Sequence, residues 1–278
     1  MRERGRNMKM DDVFKNRVVA VTGGASGIGA AICKRFGAAG ARIAVLDMNQ
    51  HDIDVLVKGL SSEGIEAMGV KCDISKRGKS ESAIARVIRH YGGIDVLVNN
   101  AGITQRSPFI ETDISVYHRV MDVNFFGALY CTKAAIKSLL ERKGLIIVTS
   151  SLAGFSPLIG RTGYSASKHA LHGLFESLRA EVRASGVHVM MVCPGFTRTN
   201  LQTRALGADG KVTKHPQSTF GTLDTPAHVA DAVFRGALRR KNIIVLTPVG
   251  KLTYLLHRLA PSLYERQMAK KLKSEIEK

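Results

Sequence analysis

Short apolar runs alternate with amphipathic stretches through most of the 278 residues. The apolar runs predict seven strands, at residues 17–21, 42–46, 65–70, 94–98, 145–149, 187–192 and 243–246. The stretches between them predict helices at 27–39, 50–62, 79–91, 115–142, 164–185 and 226–240. Strands that alternate with helices are typical of βαβ units. We therefore predict an α/β fold with a doubly wound parallel sheet, which binds ligands at the carboxyl ends of its strands.

Two segments depart from this rhythm. Residues 197–224 are irregular, polar and too long for an ordinary connection, so we predict a substrate loop there. Leu252, Leu255, Leu256 and Leu259 lie at helical spacing in a segment that then becomes strongly basic. We predict one domain over 1–248 and a basic amphipathic C-terminal extension over 249–278.

The net charge of +18 is the unusual bulk property. The part of the chain from Arg235 onward holds eleven Lys and Arg but three Glu. Aromatic residues do not interleave with these charges as they do in a base-stacking surface, so we expect no nucleic-acid partner and favour a solvated basic face.

The chain lacks an apolar run of the roughly 18 residues that span a bilayer. Its first 17 residues are polar and contain no secretory signal, so we expect a soluble, cytoplasmic protein. The four cysteines are far apart and form no Cys-x-x-Cys pair. We predict buried thiols in a reducing compartment, with neither a disulfide nor a metal site.

A glycine-rich turn follows the first predicted strand, in Thr22-Gly23-Gly24-Ala25-Ser26-Gly27-Ile28-Gly29. Its glycines permit a tight turn and let backbone N–H groups approach a pyrophosphate at the start of the first helix. The position between a strand and a helix favours dinucleotide binding over an ordinary turn. The sheet is thus predicted to be of the Rossmann type.

Asp47 ends the second predicted strand. A carboxylate there accepts hydrogen bonds from a ribose diol and repels a 2′-phosphate, so it favours NAD over NADP. The alternative is a capping role, with Asp47 or Asn49 starting the next helix.

Further motifs then follow in order: Cys72-Asp73-Ile74, Asn99-Asn100-Ala101-Gly102, Ser151 with Tyr164-Ser165-Ala166-Ser167-Lys168, and Pro194-Gly195. With the glycine turn and Asp47, this set resembles the short-chain dehydrogenase/reductase family in its compact single-domain branch. The resemblance covers roughly residues 15 to 247. It implies an NAD(H)-dependent oxidoreductase that interconverts a secondary alcohol and a ketone.

The resemblance also implies the cofactor contacts. Asp73 would lie at the adenine, Asn100 at the adenosine region, and Thr197 and Thr199 at the nicotinamide carboxamide, and Ile74 would be a further cofactor residue. The remaining cofactor residues would be Gly23, Ser26, Gly27, Ile28, Gly29, Asp47, Tyr164 and Lys168. Asn99 would hold the central strand. A strand-ending turn is the alternative for the two asparagines, and ordinary capping for the two threonines.

Tyr164 and Lys168 are four residues apart, so on a helix they share a face. Oxidation of an alcohol requires a base, and a tyrosine with its ordinary pKa of about 10 is a poor one near neutral pH. An adjacent ammonium and the charge of an oxidised nicotinamide would lower the pKa of the phenol. The same phenol would act as the acid in carbonyl reduction.

Ser151, at the family's spacing before Tyr164, would stabilise charge on the substrate oxygen, and Ser150 is its rival. Asn124 matches the family's helix asparagine that organises a proton relay near Lys168. His169 and His172 could share a face with Glu176, but we predict no metal there. For Arg106 a solvated side chain is favoured over contact with an acidic substrate.

We expect a mainly apolar pocket, suited to an alcohol or ketone on a hydrophobic body. Its expected lining is Ile103, Ala153, Phe155, Leu158, Phe196, Leu201 and Phe220. Family members usually associate through their two long helices, so we expect a homodimer or homotetramer; Leu171, Leu174, Phe175 and Leu178 would supply apolar surface, or be buried within one subunit.

The extension, with Arg258, Arg266, Lys270, Lys271 and Lys273, could make peripheral membrane contact. We favour instead that it covers the substrate cleft or a neighbouring subunit. The alternative functions are a non-catalytic NAD-sensing regulator on the same fold, and a dehydratase or epimerase on a related one.

Overall fold

The computed structural model describes residues 13–214 and 223–272. Its seven strands are β1 (Val18–Thr22), β2 (Arg42–Asp47), β3 (Ala67–Lys71), β4 (Val96–Asn99), β5 (Leu145–Thr149), β6 (His188–Cys193) and β7 (Ile243–Val245). They form one sheet in the order β3-β2-β1-β4-β5-β6-β7, and every neighbouring pair is parallel. The predicted doubly wound sheet is confirmed.

Ten α-helices accompany the strands in the described part of the chain. They are α1 (Gly27–Gly37), α2 (Gln50–Ser62), α3 (Arg77–Tyr91), α4 (Ile114–Met121), α5 (Gly127–Glu141), α6 (Thr162–Val182), α7 (Asn200–Thr203), α8 (Pro226–Leu238), α9 (Pro248–Leu259) and α10 (Pro261–Leu272). The apolar faces of α1, α2 and α8 cover one side of the sheet, and those of α3, α5 and α6 cover the other.

Alternating side chains of each strand supply two separate cores. In β1, Val19 and Val21 pack with α1 and α8, while Val18 and Ala20 pack with the opposite layer. Both sets are fully buried because helices cover both faces, so the strands are almost continuously apolar.

The strand order reverses between β1 and β4, and this reversal opens a crevice at their carboxyl ends. Thr22 connects the two strands there: its hydroxyl donates to Val98 O at 3.3 Å and accepts from the backbone N–H of Asn100 at 3.0 Å. The glycine turn and the Asn99-Asn100 motif therefore lie on either side of one cleft.

The helix predicted at 115–142 is interrupted. A π-helical turn, Asp122–Phe126, separates α4 from α5. Such turns are frequent at functional sites, and this one contains Asn124. The predicted substrate loop also contains regular structure, the short helix α7. Residues 215–222 of that loop, including Phe220, lie outside the described residues.

The C-terminal extension forms α9 and α10, and Lys273 lies outside the described residues. The Thr247 hydroxyl caps α9 by accepting from the backbone N–H of Gly250 at 3.0 Å, and Pro248 occupies the first turn. In the part of the chain that is described, we find no helix long and apolar enough to span a bilayer.

Candidate active site

The glycine turn brings backbone against backbone. A Cβ on Gly29 would lie 2.0 Å from Gly23 O, and one on Gly23 would lie 2.8 Å from the Cα of Ala101. Gly23 also has a φ of +59°, which favours glycine. Ser26 precedes α1 without a side-chain capping bond, and the first turn of α1 contains no acidic residue. The start of α1 is therefore suited to an anion.

Asp47 is partly buried at the end of β2 and faces the glycine turn. Its carboxylate accepts from the backbone N–H of Ala25 at 3.1 Å and from that of Asn49 at 3.2 Å. The Asn49 side chain instead caps α2, accepting from the backbone N–H of Asp52. Of the two capping alternatives, the structure selects Asn49 and places Asp47 beside the turn.

Asn100 joins three strand ends. Its amide nitrogen donates to Thr22 O at 3.2 Å and to Gly23 O at 3.1 Å, and its oxygen accepts from the Thr149 hydroxyl at 3.3 Å. Asn99 is buried and donates to the Thr132 hydroxyl at 2.9 Å, which holds β4 against α5.

The Asp73-Ile74 pair follows β3, at the cleft's outer side. The Asp73 carboxylate accepts from the backbone and the hydroxyl of Ser75, at 3.1 Å and 2.7 Å, and remains partly exposed. Ile74 is buried, and its side chain lies against Gly127 at the start of α5.

Helix α6 carries Tyr164 and Lys168 to the end of β5. Both side chains are buried, and the Ser151 hydroxyl is near enough to the Tyr164 phenol to lower its pKa. The Lys168 ammonium donates to Thr149 O at 2.8 Å and lies 5.7 Å from the centre of the Tyr164 ring. Ser150 points away, because its hydroxyl donates to Lys168 O at 3.4 Å. The geometry thus favours Ser151 over Ser150.

Burial dominates the protonation of both groups. It raises the pKa of the Tyr164 phenol, whereas the Ser151 hydrogen bond and the charge of Arg161 lower it. It lowers the pKa of Lys168 to about 8, because an ammonium is costly in a water-poor site. Among the described residues, Ser151 and Arg161 lower the pKa of the Tyr164 phenol, which was the effect expected of Lys168. The effect of Lys168 on the phenol stays a prediction.

Asn124 lies in the π-helical turn and clamps a neighbouring loop. Its oxygen accepts from the backbone N–H of Ile103 at 2.8 Å, and its nitrogen donates to Ile103 O at 2.9 Å and to the Ser167 hydroxyl at 2.8 Å. A Cβ on Gly102 would lie 3.2 Å from the Asn124 oxygen and 3.5 Å from Lys168 Nζ. Asn124 and Lys168 therefore face the same side of the loop.

The loop after β6 crosses toward the glycine turn. Thr197 is buried, and its hydroxyl donates to Gly195 O at 3.3 Å. Thr199 begins α7, accepting from the backbone N–H of Leu201, and its methyl group would lie 3.2 Å from a Cβ on Gly27. The capping alternative for Thr199 is thus present, and it holds the residue over the turn.

Two buried polar residues of the site were missed from the sequence. Gln105 is fully buried, and its side-chain oxygen accepts from the backbone N–H of Tyr164 at 3.0 Å. Arg161 is the largest fully buried side chain; it donates to the Gln202 side chain at 3.1 Å and lies 5.8 Å from the Phe196 ring. A basic residue at a helix N-terminus opposes the helix dipole, and this was the available signal for Arg161.

The prediction of a solvated Arg106 is wrong, because its side chain is 5% exposed. Its backbone N–H donates to Leu206 O at 2.8 Å, so the substrate loop lies against this segment and excludes water. The histidines hold no metal cluster within the described ranges. His169 contacts Ser165 O, and His172 pairs with Glu176, both at 2.8 Å.

The expected pocket lining divides in two. Ile103, Leu158, Phe196 and Leu201 are partly buried, in the segments that follow β4, β5 and β6. Phe155 instead packs its ring against Tyr254 of α9 at 4.7 Å and against His172 at 6.1 Å. The extension accordingly rests on the loop that follows Ser151 in the same chain.

Known proteins resemble this chain in sequence along most of its length. A family model described as short chain dehydrogenase matches residues 17–208. The chain is 36% identical over 275 residues to dehydrogenase/reductase SDR family member 7B of Mus musculus, covering 94% of this chain and 83% of the mouse protein. It is 31% identical over 275 residues to dehydrogenase/reductase SDR family protein 7-like of Drosophila melanogaster, covering 97% and 84%.

Solved structures share the fold. A short-chain dehydrogenase from Streptomyces avermitilis superposes with a TM-score of 0.78 at 30% identity, covering 93% of this chain and 98% of that one. A short chain dehydrogenase/reductase from Burkholderia phymatum, in complex with NAD, gives a TM-score of 0.81, covering 90% and 95%. Its identity is 24%, so that likeness concerns the fold alone.

Proposed function

Because the chain belongs to the short-chain dehydrogenase/reductase family of oxidoreductases, we propose that it interconverts a secondary alcohol and a ketone with NAD(H). The observation that carries the proposal is the buried phenol of Tyr164, whose pKa the Ser151 hydroxyl lowers, with Lys168 on the same helix face. A hydroxyl pair of this kind suits a substrate oxygen that gains or loses a proton.

The crevice residues fit a nicotinamide dinucleotide. The close backbone approach at Gly23 and Gly29 and the uncapped start of α1 leave N–H groups for a pyrophosphate, with Ser26, Gly27 and Ile28 in the same turn. Asp47, beside this turn, would hold the ribose diol and disfavour NADP.

The remaining cofactor contacts follow the family's pattern. Asp73 would hold the adenine, Asn100 the adenosine region, and Thr197 and Thr199 the carboxamide, with Ile74 next to Asp73 in the same segment. When bound, the nicotinamide would accept or donate the hydride.

Proton transfer to and from the substrate oxygen would be carried out by side chains of this chain. Tyr164 takes the proton of the alcohol during oxidation, or gives one to the carbonyl oxygen during reduction. Ser151 donates a hydrogen bond to the same oxygen and stabilises its developing charge. Lys168 and Asn124 face one side of Gly102; Asn124 would organise a water there, and Lys168 would pass the proton onward through it.

We further propose a hydrophobic substrate body, supported by the partly buried Ile103, Leu158, Phe196 and Leu201 after the carboxyl ends of β4, β5 and β6. A homodimer or homotetramer through α5 and α6 is the proposed assembly. Leu171 and Phe175 are buried inside one subunit, which leaves the partly exposed Leu174 and Leu178 for contact. The four buried free thiols support a cytoplasmic, reducing location.

The test is turnover of a panel of hydrophobic secondary alcohols with NAD, followed by the absorbance of the reduced nicotinamide. Tyr164→Phe is expected to lower kcat by at least about a hundredfold. Tyr91→Phe removes a buried hydroxyl that donates to Ile43 O, and serves as the matched control. Binding of NAD, measured by calorimetry, should survive Tyr164→Phe. An active Tyr164→Phe variant would contradict the assignment, and NAD binding without turnover of any alcohol or ketone would favour the sensing alternative.

A further inference from the structure

The last two helices expose apolar side chains on their outer face. Leu252 and Leu259 are 66% and 74% exposed, and Val249, Leu255 and Leu263 are also exposed. An amphipathic surface helix usually turns its leucines toward the core. Here the arrangement is reversed, and we call these five side chains the outer leucine face.

The inner faces of α9 and α10 are already occupied, so these leucines cannot turn inward. Gly250 lies against the Leu152 side chain, and the Tyr254 ring packs on Phe155. The Tyr264 hydroxyl donates to Pro157 O at 2.8 Å. The orientation of both helices is thereby fixed.

The two helices that carry the outer leucine face are also strongly basic. The exposed cations between residues 248 and 272 are Lys251, Arg258, Arg266, Lys270 and Lys271, and Glu265 is the one acidic residue in that range. A second copy of this chain, which also carries a net charge of +18, would bring like charges together. The charge pattern therefore favours an anionic occupant.

We propose that the outer leucine face docks on a membrane surface that contains anionic lipids. Leucines at the acyl boundary with Lys and Arg at headgroup level are the arrangement of helices that lie in the plane of a membrane. The cytoplasmic leaflet carries the required negative charge.

This surface also adjoins the candidate active site. The loop against which α9 and α10 pack begins directly after Ser151. It ends at Arg161, the N-cap residue of α6. Docking would therefore bring the rim of the site to the lipid, where hydrophobic alcohols and ketones concentrate. Membrane docking can be tested separately from the reaction, because vesicle binding is measured without substrate or cofactor.

The experiment is co-sedimentation of the full chain with vesicles of phosphatidylcholine alone or mixed with phosphatidylserine. We expect binding to the mixed vesicles that weakens as salt is added. The triple variant Leu252→Ser, Leu255→Ser and Leu259→Ser should bind at least about tenfold less. The control Val13→Ser with Val55→Ser removes exposed apolar side chains elsewhere and should bind as the wild type does.

A second variant guards against misfolding of the first. Lys251→Glu with Lys270→Glu leaves the leucines in place and should also lose binding to the mixed vesicles. The proposal is overturned if the wild type stays in the supernatant, if it binds neutral vesicles equally well, or if both variants bind as the wild type does. It is also overturned if the leucine variant lowers the mass of an oligomer in solution, because the face would then join two copies.

Discussion

The side-chain oxygen of Gln105 accepts a hydrogen bond from the backbone N–H of Tyr164 at 3.0 Å. Its amide nitrogen lies 3.5 Å from the Thr162 hydroxyl, so one buried side chain spans the first turn of α6. The first N–H groups of a helix lack partners within the helix. Gln105 thus sets the position of the residue that carries the phenol, without touching the phenol itself.

We expect Gln105→Leu to lower kcat about tenfold, because a buried N–H left without a partner costs about 1–3 kcal/mol and the turn that carries Tyr164 relaxes. The KM for NAD should stay near the wild-type value, since the glycine turn is untouched. Gln105→Glu keeps an acceptor and should recover part of kcat. Steady-state kinetics of the three proteins decide the matter; a raised KM for NAD with unchanged kcat would contradict a positioning role.

Lys168 makes stability depend on pH. Its pKa is lowered by burial to about 8, from an ordinary value of 10.5. Between these values the unfolded chain holds the proton and the folded chain releases it, so the free energy of unfolding rises with pH. Relative to Lys168→Met, the wild type should gain on the order of 2 kcal/mol between about pH 8 and pH 10.

Denaturant unfolding at several pH values measures this difference. Lys58→Met, which removes an exposed lysine from α2, is the matched control. A flat difference for Lys168→Met would show that the ammonium is not desolvated.

The sheet could be predicted because both of its faces are buried. Strands such as β1 and β5 are then apolar at every position except their last, a threonine, and stand out against the amphipathic helices. The glycine turn and the Tyr164–Lys168 spacing are local patterns, so they too are visible in the sequence. Strand bounds moved by one or two residues, as in β3 and β4.

The π-helical turn at Asn124 could not be predicted in this way. Residues 115–142 keep helical spacing throughout, and the break becomes apparent only with the contacts of Asn124 to Ile103 and Ser167. Those partners lie far away in the sequence. The spacing of apolar residues shows which face of a helix is buried. It does not show that a backbone segment distant in the sequence hydrogen-bonds a side chain of that helix.

The burial of two arginine side chains could not be predicted from the sequence either. Arg106 and Arg161 belong to a residue type that is rarely buried fully, so a solvated side chain was the favoured reading for Arg106. Each is buried because the loop after β6 folds over it, as the contacts of Leu206 and Gln202 show. Loop placement of this kind has no periodic signal.

Asp47 should set the choice between NAD and NADP. Its carboxylate is held at the glycine turn by Ala25 N–H, so in the proposed binding mode its charge would repel a 2′-phosphate. Asp47→Asn retains an acceptor for this bond and removes the charge. We expect kcat/KM to fall about tenfold for NAD and to rise for NADP, because one repulsive and one attractive contact are lost together.

Asp54→Asn removes an exposed carboxylate from α2 and changes the net charge equally, so it controls for long-range effects. Kinetics with both cofactors are the measurement. If Asp47→Asn and Asp54→Asn shift the preference by the same amount, Asp47 does not contact the ribose.

Gly29 and Gly59 form a matched pair of helical glycines. A Cβ on Gly29 would lie 2.0 Å from Gly23 O and 2.7 Å from the Asn100 amide nitrogen, whereas a Cβ on Gly59 would meet nothing within 4 Å. Gly29→Ala must therefore push the glycine turn away from α1. Gly59→Ala only removes a flexible residue from α2.

We expect Gly29→Ala to weaken NAD binding by at least about tenfold and to lower stability by about 1–3 kcal/mol, because overpacking displaces the turn that would hold the pyrophosphate. Gly59→Ala should raise stability by about 0.5–1 kcal/mol and leave NAD binding unchanged. Calorimetric titration with NAD and denaturant unfolding measure the two effects. Wild-type NAD affinity in a folded Gly29→Ala variant would mean that the close contact between α1 and the turn does not shape the cofactor site.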